Sequence, residues 1–362
     1  MRFKKRTRVV VAMSGGVDSS VAAALLKRKG YDVIGISMKL WPKEDCGFHR
    51  LTSCCSLESI SDARLVSEKL RIPFYVLDLH EDFKREVIDY FTKEYLDGRT
   101  PNPCILCNEK IKFGILLKKA KELGAEFIAT GHYAKVGFDR RAKRYILEEG
   151  KDKRKDQSYA LFSLTQDQLS KTLLPLGALT KDSVRKFAKR NGLPVHSKID
   201  SQEICFVQSD YAEYLKKEFK DKIKPGPIVD QKGDLLGMHK GTPFYTIGQR
   251  GGLGIAHSHA LYVTHIDKEK NTLIVGPKEA RYRKRILVSG LNWMIIPEAK
   301  RFNADVKIRS QHKKASGELR VLNGSLEILF EKAQESPAPG QAAVFYKRGK
   351  LLGGGWISNT VE

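Results

Sequence analysis

The fold is indicated by residues 8–30, which read RVVVAMSGGVDSSVAAALLKRKG. The apolar run from Arg8 to Met13 predicts a buried strand. The run from Val21 to Lys29 predicts a helix with one apolar face. The glycines between the two runs allow a tight turn. A strand, a tight turn and a helix in succession are typical of the βαβ units that build a parallel sheet.

The same alternation continues along the first two hundred residues. Further strands are predicted at 33–38, 73–77 and 127–130, and further helices at 57–70, 81–95 and 108–123. This pattern predicts an α/β fold in which a doubly wound parallel sheet fills residues 1–208. The chain then becomes rich in glycine and proline with short β-like runs, which predicts a small central domain over 209–280 and a C-terminal all-β barrel over 281–362.

The composition indicates a globular chain with a polyanionic partner. Its 362 residues suit two or three domains, and 41% of them are apolar, which is enough to build cores. Lysine and arginine number 65 against 42 acidic residues, a formal net charge of +23. Nucleic acid is the natural candidate, although a lysine-rich surface can also serve solubility alone. The basic stretches 140–144 and 281–285 are candidates for gripping its backbone.

A cytoplasmic location is expected, with no membrane association. No apolar stretch approaches the length of about 18 residues that a transmembrane helix needs, and no signal-peptide core follows the basic N-terminus. In a reducing compartment, cysteines point to metal binding, catalysis or packing rather than to a disulfide framework. The chain has six: Cys46, Cys54, Cys55, Cys104, Cys107 and Cys205. The role of the first three stays open between an accessory metal site and an incidental one.

The string SGGVDS, residues 14–19, lies between the first strand and the first helix and can cradle phosphates. Its glycines let backbone N–H groups approach an anion, and the helix N-terminus adds the positive end of a dipole. The string lacks the lysine of a Walker A motif, and Asp18 suits a magnesium ion that bridges the phosphates. The alternative is an ordinary glycine turn with a polar helix cap.

Two cysteines, Cys104 and Cys107, form a C-x-x-C string just before the helix predicted at 108–123. A helix N-terminus favours the thiolate, which is the nucleophilic form of cysteine. Cys205 follows 98 positions after Cys107. A lone C-x-x-C also fits a structural zinc half-site or buried inert thiols.

Longer strings along the chain carry a resemblance to one family. They are TPNPCILCN at 100–108 followed by Lys112-Phe113, TGHYA at 130–134, KDQSY at 155–159, DSQEICF at 200–206, YTIGQR at 245–250 and PGQAAV at 339–344. Together with SGGVDS they span the chain in order and resemble the bacterial tRNA 2-thiouridylases of the MnmA/TrmU family. That family belongs to the PP-loop ATP pyrophosphatases, which have an adenine nucleotide α-hydrolase-like fold.

The resemblance implies an enzyme, a tRNA-uridine 2-sulfurtransferase, whose partner is tRNA and not DNA. It implies that ATP and Mg²⁺ are used to adenylate the C2 oxygen of the wobble uridine in tRNAs for Lys, Glu and Gln. AMP and pyrophosphate would be released as 2-thiouridine forms. The sulfur would come from a cysteine persulfide, which a sulfur-donor protein or inorganic sulfide would supply.

The resemblance also assigns roles to individual residues. Cys107 would be the nucleophile, Cys205 would carry the persulfide, and Asp18 would be catalytic. The implied ATP site consists of Ala12, Met13, Ser14, Gly15, Gly16, Val17, Asp18, Ser19, Met38 and Gly131. The implied target-base contacts are Asn102, Pro103 and Cys104, and the implied tRNA contacts are His132, Lys155, Asp156, Gln157, Arg309, Ser310 and Gln341. The chain departs from the family pattern at Ser310, usually Tyr, and at Gln202-Glu203, often Thr-Gly.

Three alternatives stay open besides thiolation at another RNA position. Cys104, Cys107 and Cys205 could instead hold a [4Fe–4S] cluster that delivers sulfide, since thiolates are the expected ligands of such clusters. PP-loop enzymes also include amide-forming ligases, which need neither paired cysteines nor this positive charge. An RNA-binding scaffold with a decayed phosphate loop is the third, and the intact SGGVDS string argues against it. The sequence does not decide the oligomeric state.

Overall fold

The computed structural model describes residues 6–40, 57–199 and 223–361, which fall into two compact units. The first unit consists of Met1–Val87, Cys104–Gln208 and Arg348–Leu351, and the second of Ile88–Pro103, Ser209–Lys347 and Leu352–Glu362. Among the described residues, no helix combines the length and the apolar character that crossing a bilayer requires.

A five-stranded sheet forms the centre of the first unit and confirms the predicted parallel sheet. The strands of this unit are β1 Arg8–Ala12, β2 Asp32–Lys39, β3 Phe74–Asp78, β4 Phe127–Ala129, β5 Ala134–Asp139, β6 Arg144–Glu149 and β7 Thr172–Leu173. The sheet order is β3-β2-β1-β4-β7, and every pairing in it is parallel. The three valines of β1 are fully buried, as expected for a central strand with both faces covered.

Several helices of the first unit pack on this sheet through small apolar side chains. In chain order the α-helices of the described residues in both units are α1 Val17–Arg28, α2 Leu57–Leu70, α3 His80–Phe83, α4 Asp89–Leu96, α5 Pro103–Leu106, α6 Leu116–Glu122, α7 Gln166–Ser170 and α8 Lys181–Arg190. Val21 and Ala22 of α1 share one core with Val184 of α8. Gly30, with a φ of +87°, follows the end of α1, where the left-handed conformation commonly terminates a helix.

Two of the helices predicted from the sequence contain π-helical turns. Lys84–Ile88 separates α3 from α4, and Cys107–Ile115 separates α5 from α6. The second helix was predicted to begin at residue 108, and this was wrong: the helical segment begins at Pro103, so both cysteines of the C-x-x-C string lie inside it. Proline suits a helix start because its φ is preset and it has no N–H to satisfy.

The hairpin of β5 and β6 was missed by the sequence reasoning. The two strands pair from Ala134 and Glu149 at their open end. The basic stretch 140–144 supplies the turn, in which Asp139 accepts two backbone N–H groups at 3.0 Å. The sequence analysis interpreted the positive charges of 140–144 as a contact for the nucleic-acid backbone. Because they lie between the two strands, the alternation of apolar and polar residues that indicates a strand was not recognised.

The second unit contains a small sheet and a barrel. Its strands are β8 Gly226–Val229, β9 Leu235–His239, β10 Tyr262–Asp267, β11 Thr272–Gly276, β12 Tyr282–Trp293, β13 Arg301–Lys307, β14 Ala315–Val321, β15 Ser325–Glu335, β16 Ala342–Lys347 and β17 Lys350–Val361. The small sheet has the order β10-β11-β8-β9. The order β12-β15-β14-β13-β16-β17, closed by pairing of β12 with β17, confirms the predicted all-β barrel. Ile286, Val306 and Phe345 are among its buried interior residues.

A turn before β16 holds the backbone that leads to the C-x-x-C string. The backbone N–H of Thr100 donates to the Pro339 carbonyl at 2.8 Å, and the Gln341 side-chain amide donates to the Thr100 carbonyl at 3.0 Å. Gly340, between these two residues, has a φ of +91°, and a Cβ there would lie 3.0 Å from the Thr100 nitrogen. The close approach of these two segments of the chain therefore depends on glycine at 340.

We expect Gly340→Ala to lower the free energy of unfolding more than Gly324→Ala does. Both glycines have positive φ, but a Cβ on Gly324 would meet nothing within 4 Å. The left-handed conformation costs each alanine about 1–2 kcal/mol, and crowding against Thr100 should add about 1 kcal/mol or more at 340. Urea unfolding followed by fluorescence of Trp293 and Trp356, both in barrel strands, measures the difference. Equal losses would mean that the Thr100 contact is not tight.

Candidate active site

The SGGVDS string joins β1 to α1 and closes on itself through a serine hydroxyl. The Ser19 hydroxyl accepts the backbone N–H of Ser14 at 3.2 Å and donates to the Gly16 carbonyl at 3.2 Å. Gly15 has a φ of +69°, and a Cβ there would come within 2.1 Å of the Ser59 carbonyl oxygen. The loop thus requires glycine at 15, and it lies at the positive end of α1, which favours an anion.

The residues predicted to bind ATP lie along the carboxyl edge of three adjacent strands. Ala12 ends β1, Met38 is next to last in β2, and Gly131 follows the end of β4. A Cβ on Gly131 would lie 2.7 Å from the backbone nitrogen of Ser19, so the turn after β4 packs directly against the loop. The strand order changes direction between β1 and β4, and ligands of open parallel sheets bind at such a point.

Asp18 is held by two residues that the sequence reasoning did not single out. Lys181 Nζ donates to Oδ1 at 2.9 Å and to Oδ2 at 2.8 Å, and the Tyr133 hydroxyl donates to Oδ1 at 2.7 Å. The Lys181 side chain is 8% exposed, whereas that of Asp18 is 30% exposed. An accessible carboxylate at a phosphate-binding loop, with a buried ammonium group against it, fits a site for Mg²⁺ and the phosphates of a nucleotide.

Lys181 is fixed by the start of α8. The Thr180 hydroxyl caps this helix by accepting the backbone N–H of Ser183, and the Asp152 carboxylate accepts the backbone N–H of Lys181 at 3.0 Å. That backbone N–H is the main group that lowers the pKa of Asp152. Lys181 lies 163 residues after Asp18 in the chain. A helix cap is the only local signal there, and it does not point to the loop.

Tyr133 connects Asp18 to the segment 155–157, which was predicted to contact tRNA. The backbone N–H of Tyr133 donates to the Gln157 side-chain oxygen at 3.0 Å, and the backbone N–H of Gln157 donates to the Tyr133 carbonyl at 2.9 Å. Asp156 accepts the backbone N–H of Gly150 at 2.9 Å and the Ser158 hydroxyl at 2.8 Å. These polar groups build the loop, and their contacts with tRNA stay predictions.

His132 is buried beside the loop in a neutral state. Its Nδ1 lies 2.7 Å from the Thr130 hydroxyl, and its ring is 6.1 Å from that of Phe113. Burial, aided by the positive charge of Lys112, lowers the pKa of His132 well below its ordinary value. The imidazole therefore offers a neutral hydrogen-bonding group, and its predicted role in binding tRNA stays a prediction.

The C-x-x-C string is only partly exposed. Cys104 is exposed in α5, and Cys107 is buried as the first residue of the second π-helical turn. Next to it, Asn108 donates to the Ala160 carbonyl at 3.0 Å and accepts from Lys112 at 3.0 Å. Cys46, Cys54, Cys55 and Cys205 lie outside the described residues. Within 6–40, 57–199 and 223–361, no group of three or more His, Cys, Asp or Glu side chains could hold a metal ion.

The predicted tRNA contacts of the second unit already make local hydrogen bonds. Arg309 donates to the Ser336 carbonyl, and Gln341 donates to that of Thr100. In the basic cluster 281–285, Arg281 pairs with Glu335 at 2.7 Å and is only 9% exposed, so this arginine is structural. The contacts of Arg309, Ser310 and Gln341 with tRNA stay predictions.

Three protein-family models match the chain in succession. They are described as a tRNA methyl transferase HUP domain over residues 7–209, a tRNA methyl transferase PRC-barrel domain over 212–277 and an aminomethyltransferase beta-barrel domain over 283–357.

Curated proteins named tRNA-specific 2-thiouridylase MnmA are similar to the chain over nearly its whole length. The protein of Moorella thermoacetica is 48% identical over 98% of this chain and 100% of its own length. That of Geotalea uraniireducens is 49% identical over 100% of this chain and 98% of its own length. That of Clostridioides difficile is 47% identical over 98% of this chain and 99% of its own length.

We expect His132→Asn to weaken the pH dependence of stability. Because burial lowers the pKa of His132, the unfolded chain binds a proton below about pH 6.5 that the folded chain does not, so wild-type stability falls as the pH falls. The substitution should remove up to about 1.4 kcal/mol per pH unit of this slope.

Urea unfolding between about pH 7.5 and 5.5 measures the slope. The exposed His257 supplies the control, His257→Asn. A wild-type slope in His132→Asn would contradict a buried neutral imidazole.

Proposed function

The chain belongs to the tRNA-specific 2-thiouridylase family, and from this membership we propose that it catalyses ATP-dependent 2-thiolation of the wobble uridine of tRNA. The observation that carries the proposal is the 48% identity that spans 98% of the chain. We also infer that the reaction takes place in the cytoplasm, the location expected from the sequence.

Activation of the uridine is the first chemical requirement. The C2 oxygen of uracil is a poor leaving group, and its adenylation converts it into AMP, a good one. Binding ATP falls to the loop Ser14–Ser19 with Gly131, and Asp18 is the residue that would hold Mg²⁺. The ion would supply positive charge that offsets the negative charge of the phosphates. Lys181 joins this site because its ammonium group already lies at Asp18.

Sulfur transfer is the second requirement and is assigned to Cys107 and Cys205. Cys205 carries a persulfide, whose terminal sulfur bonds to C2 as the bond from C2 to the adenylated oxygen breaks. The Cys107 thiolate then attacks the inner sulfur of Cys205, which frees the thiocarbonyl and leaves a Cys107–Cys205 disulfide. A thiol reductant must supply two electrons to restore the enzyme. The persulfide of a sulfur-donor protein then transfers its sulfane sulfur to the reduced Cys205. Alternatively, hydrosulfide opens the Cys107–Cys205 disulfide directly, which gives the Cys205 persulfide and the Cys107 thiol without a further reductant.

Recognition of tRNA is assigned to both units. A net charge of +23 suits the phosphate backbone, and a base in an anticodon loop can be splayed out at low cost. Asn102, Pro103 and Cys104 would contact the target base. Contacts elsewhere on the tRNA would come from His132, Lys155, Asp156, Gln157, Arg309, Ser310 and Gln341. We also infer that the chain has three domains with the limits predicted from the sequence, namely 1–208, 209–280 and 281–362.

The proposal is tested with unmodified tRNA, ATP, Mg²⁺, a thiol reductant and a small-molecule persulfide as the donor of sulfane sulfur, under anaerobic conditions. Mass spectrometry of the digested nucleosides should show 2-thiouridine at the wobble position, and one pyrophosphate should be released for each thiouridine. Iron analysis of anaerobically purified protein decides between the persulfide and a [4Fe–4S] cluster on Cys104, Cys107 and Cys205. Absence of 2-thiouridine, or its formation without ATP, would overturn the proposal.

We expect Lys181→Met to lower kcat/KM for ATP by about a hundredfold or more while KM for tRNA changes little. The substitution keeps the length of the side chain and removes the buried ammonium group that lies at Asp18. The matched control is Lys186→Met on the exposed face of the same helix α8, which should retain wild-type kinetics. Steady-state pyrophosphate release at varied ATP and tRNA makes the measurement. If both variants keep the wild-type value, Lys181 serves only the fold.

A further inference from the structure

The second π-helical turn, Cys107–Ile115, begins at the proposed nucleophile. A π-helix, with hydrogen bonds from residue i to i+5, is rare and occurs frequently at functional sites. Here the backbone N–H of Leu116 donates to the Ile111 carbonyl, five residues earlier, which is the π pattern. A nine-residue segment of this kind needs support from outside the helix, because the α-helical alternative is intrinsically more favourable.

That support comes from the side-chain amide of Gln168 in α7. Its Nε2 donates to the Glu109 carbonyl at 2.9 Å and to the Phe113 carbonyl at 3.0 Å, so both amide protons are used on the π-helical segment. Its Oε1 accepts the backbone N–H of Thr165 at 2.9 Å within the capping box of α7. The amide is therefore fixed in orientation from both ends.

Two further contacts match the wide turn. A Cβ on Gly114 would lie 2.9 Å from the Glu109 carbonyl oxygen, five residues earlier, so the segment has glycine where its own backbone closes in. The Asn108 side chain donates to the Ala160 carbonyl and accepts from Lys112. Asn108, the residue directly after Cys107, is thus anchored to a different part of the unit. The backbone conformation between Asn108 and Ile115 therefore sets the orientation of the Cys107 side chain.

We propose that Gln168 is a positioning residue: by holding the π-helical turn at residues 107–115, it aims Cys107 at the sulfur-transfer step. The inference rests on the proposed function for its kinetic consequence. Without the two donated hydrogen bonds, the segment relaxes towards the α-helical pattern, which has fewer residues per turn and rotates Cys107 relative to the anchored Asn108. Activation of the uridine does not use Cys107 and continues.

The test compares Gln168→Met and Gln168→Glu with wild type. Methionine keeps the side-chain length without donors, and glutamate keeps the acceptor for Thr165 but loses the donors to Glu109 and Phe113. In single turnover, both variants should release pyrophosphate at the wild-type rate but form 2-thiouridine about tenfold more slowly or worse. A general folding defect would lower both products together. The matched control is Thr165→Ala, which weakens the cap of α7 and leaves the Gln168 donors in place; it should keep both rates.

A second readout does not depend on the proposed function. In fully reduced protein, iodoacetamide labelling resolved by tandem mass spectrometry gives the alkylation rate of buried Cys107 relative to exposed Cys104. This ratio should rise at least about threefold in both Gln168 variants, because Cys107 loses its fixed, buried position. If wild type forms no 2-thiouridine, the proposed function fails while this ratio still decides the inference. Ratios and thiolation rates within about twofold of wild type in both variants would overturn it.

Discussion

The contact of Asp18 with Lys181 and Tyr133 is the interaction on which the candidate site depends. It joins three distant parts of the first unit, namely the loop after β1, the turn after β4 and the start of α8. Each partner is held elsewhere: Tyr133 through its backbone by Gln157, and Lys181 by Asp152 and the cap of α8. An accessible carboxylate beside a buried ammonium group suits a magnesium and phosphate site. The sheet places this carboxylate at the edge where such ligands bind.

Two further contacts fix the backbone on either side of Cys104. In the second unit, the turn around Gly340 fixes the backbone at Thr100, shortly before Asn102 and Pro103. In the first unit, Gln168 holds the π-helical turn that begins at Cys107. Both use a side-chain amide to satisfy carbonyl groups of the segment that carries the reactive residues. The proposed sulfur transfer to a flipped base would require such fixed directions, because the reacting atoms must meet within contact distance.

The sequence predicted the parts of this molecule that depend on local pattern. The run of valines in β1, the string after it and the glycine-rich strand signals of the second unit predicted the parallel sheet and the barrel correctly. It missed the β5–β6 hairpin, whose charged turn hides the alternation, and the start of the helix at Pro103, where proline was read as loop. Lys181 and Gln168 could not be predicted, since each acts on a residue 163 or 59 positions away and carries no local signature.

In the proposed reaction, ATP activates the C2 oxygen of the uridine and sulfur then replaces that same oxygen. Labelling this oxygen with ¹⁸O in the substrate tRNA follows it directly. We expect one labelled oxygen in AMP for each 2-thiouridine formed, because the adenylated oxygen leaves with the nucleotide. Recovery of the label in water, with unlabelled AMP, would contradict it.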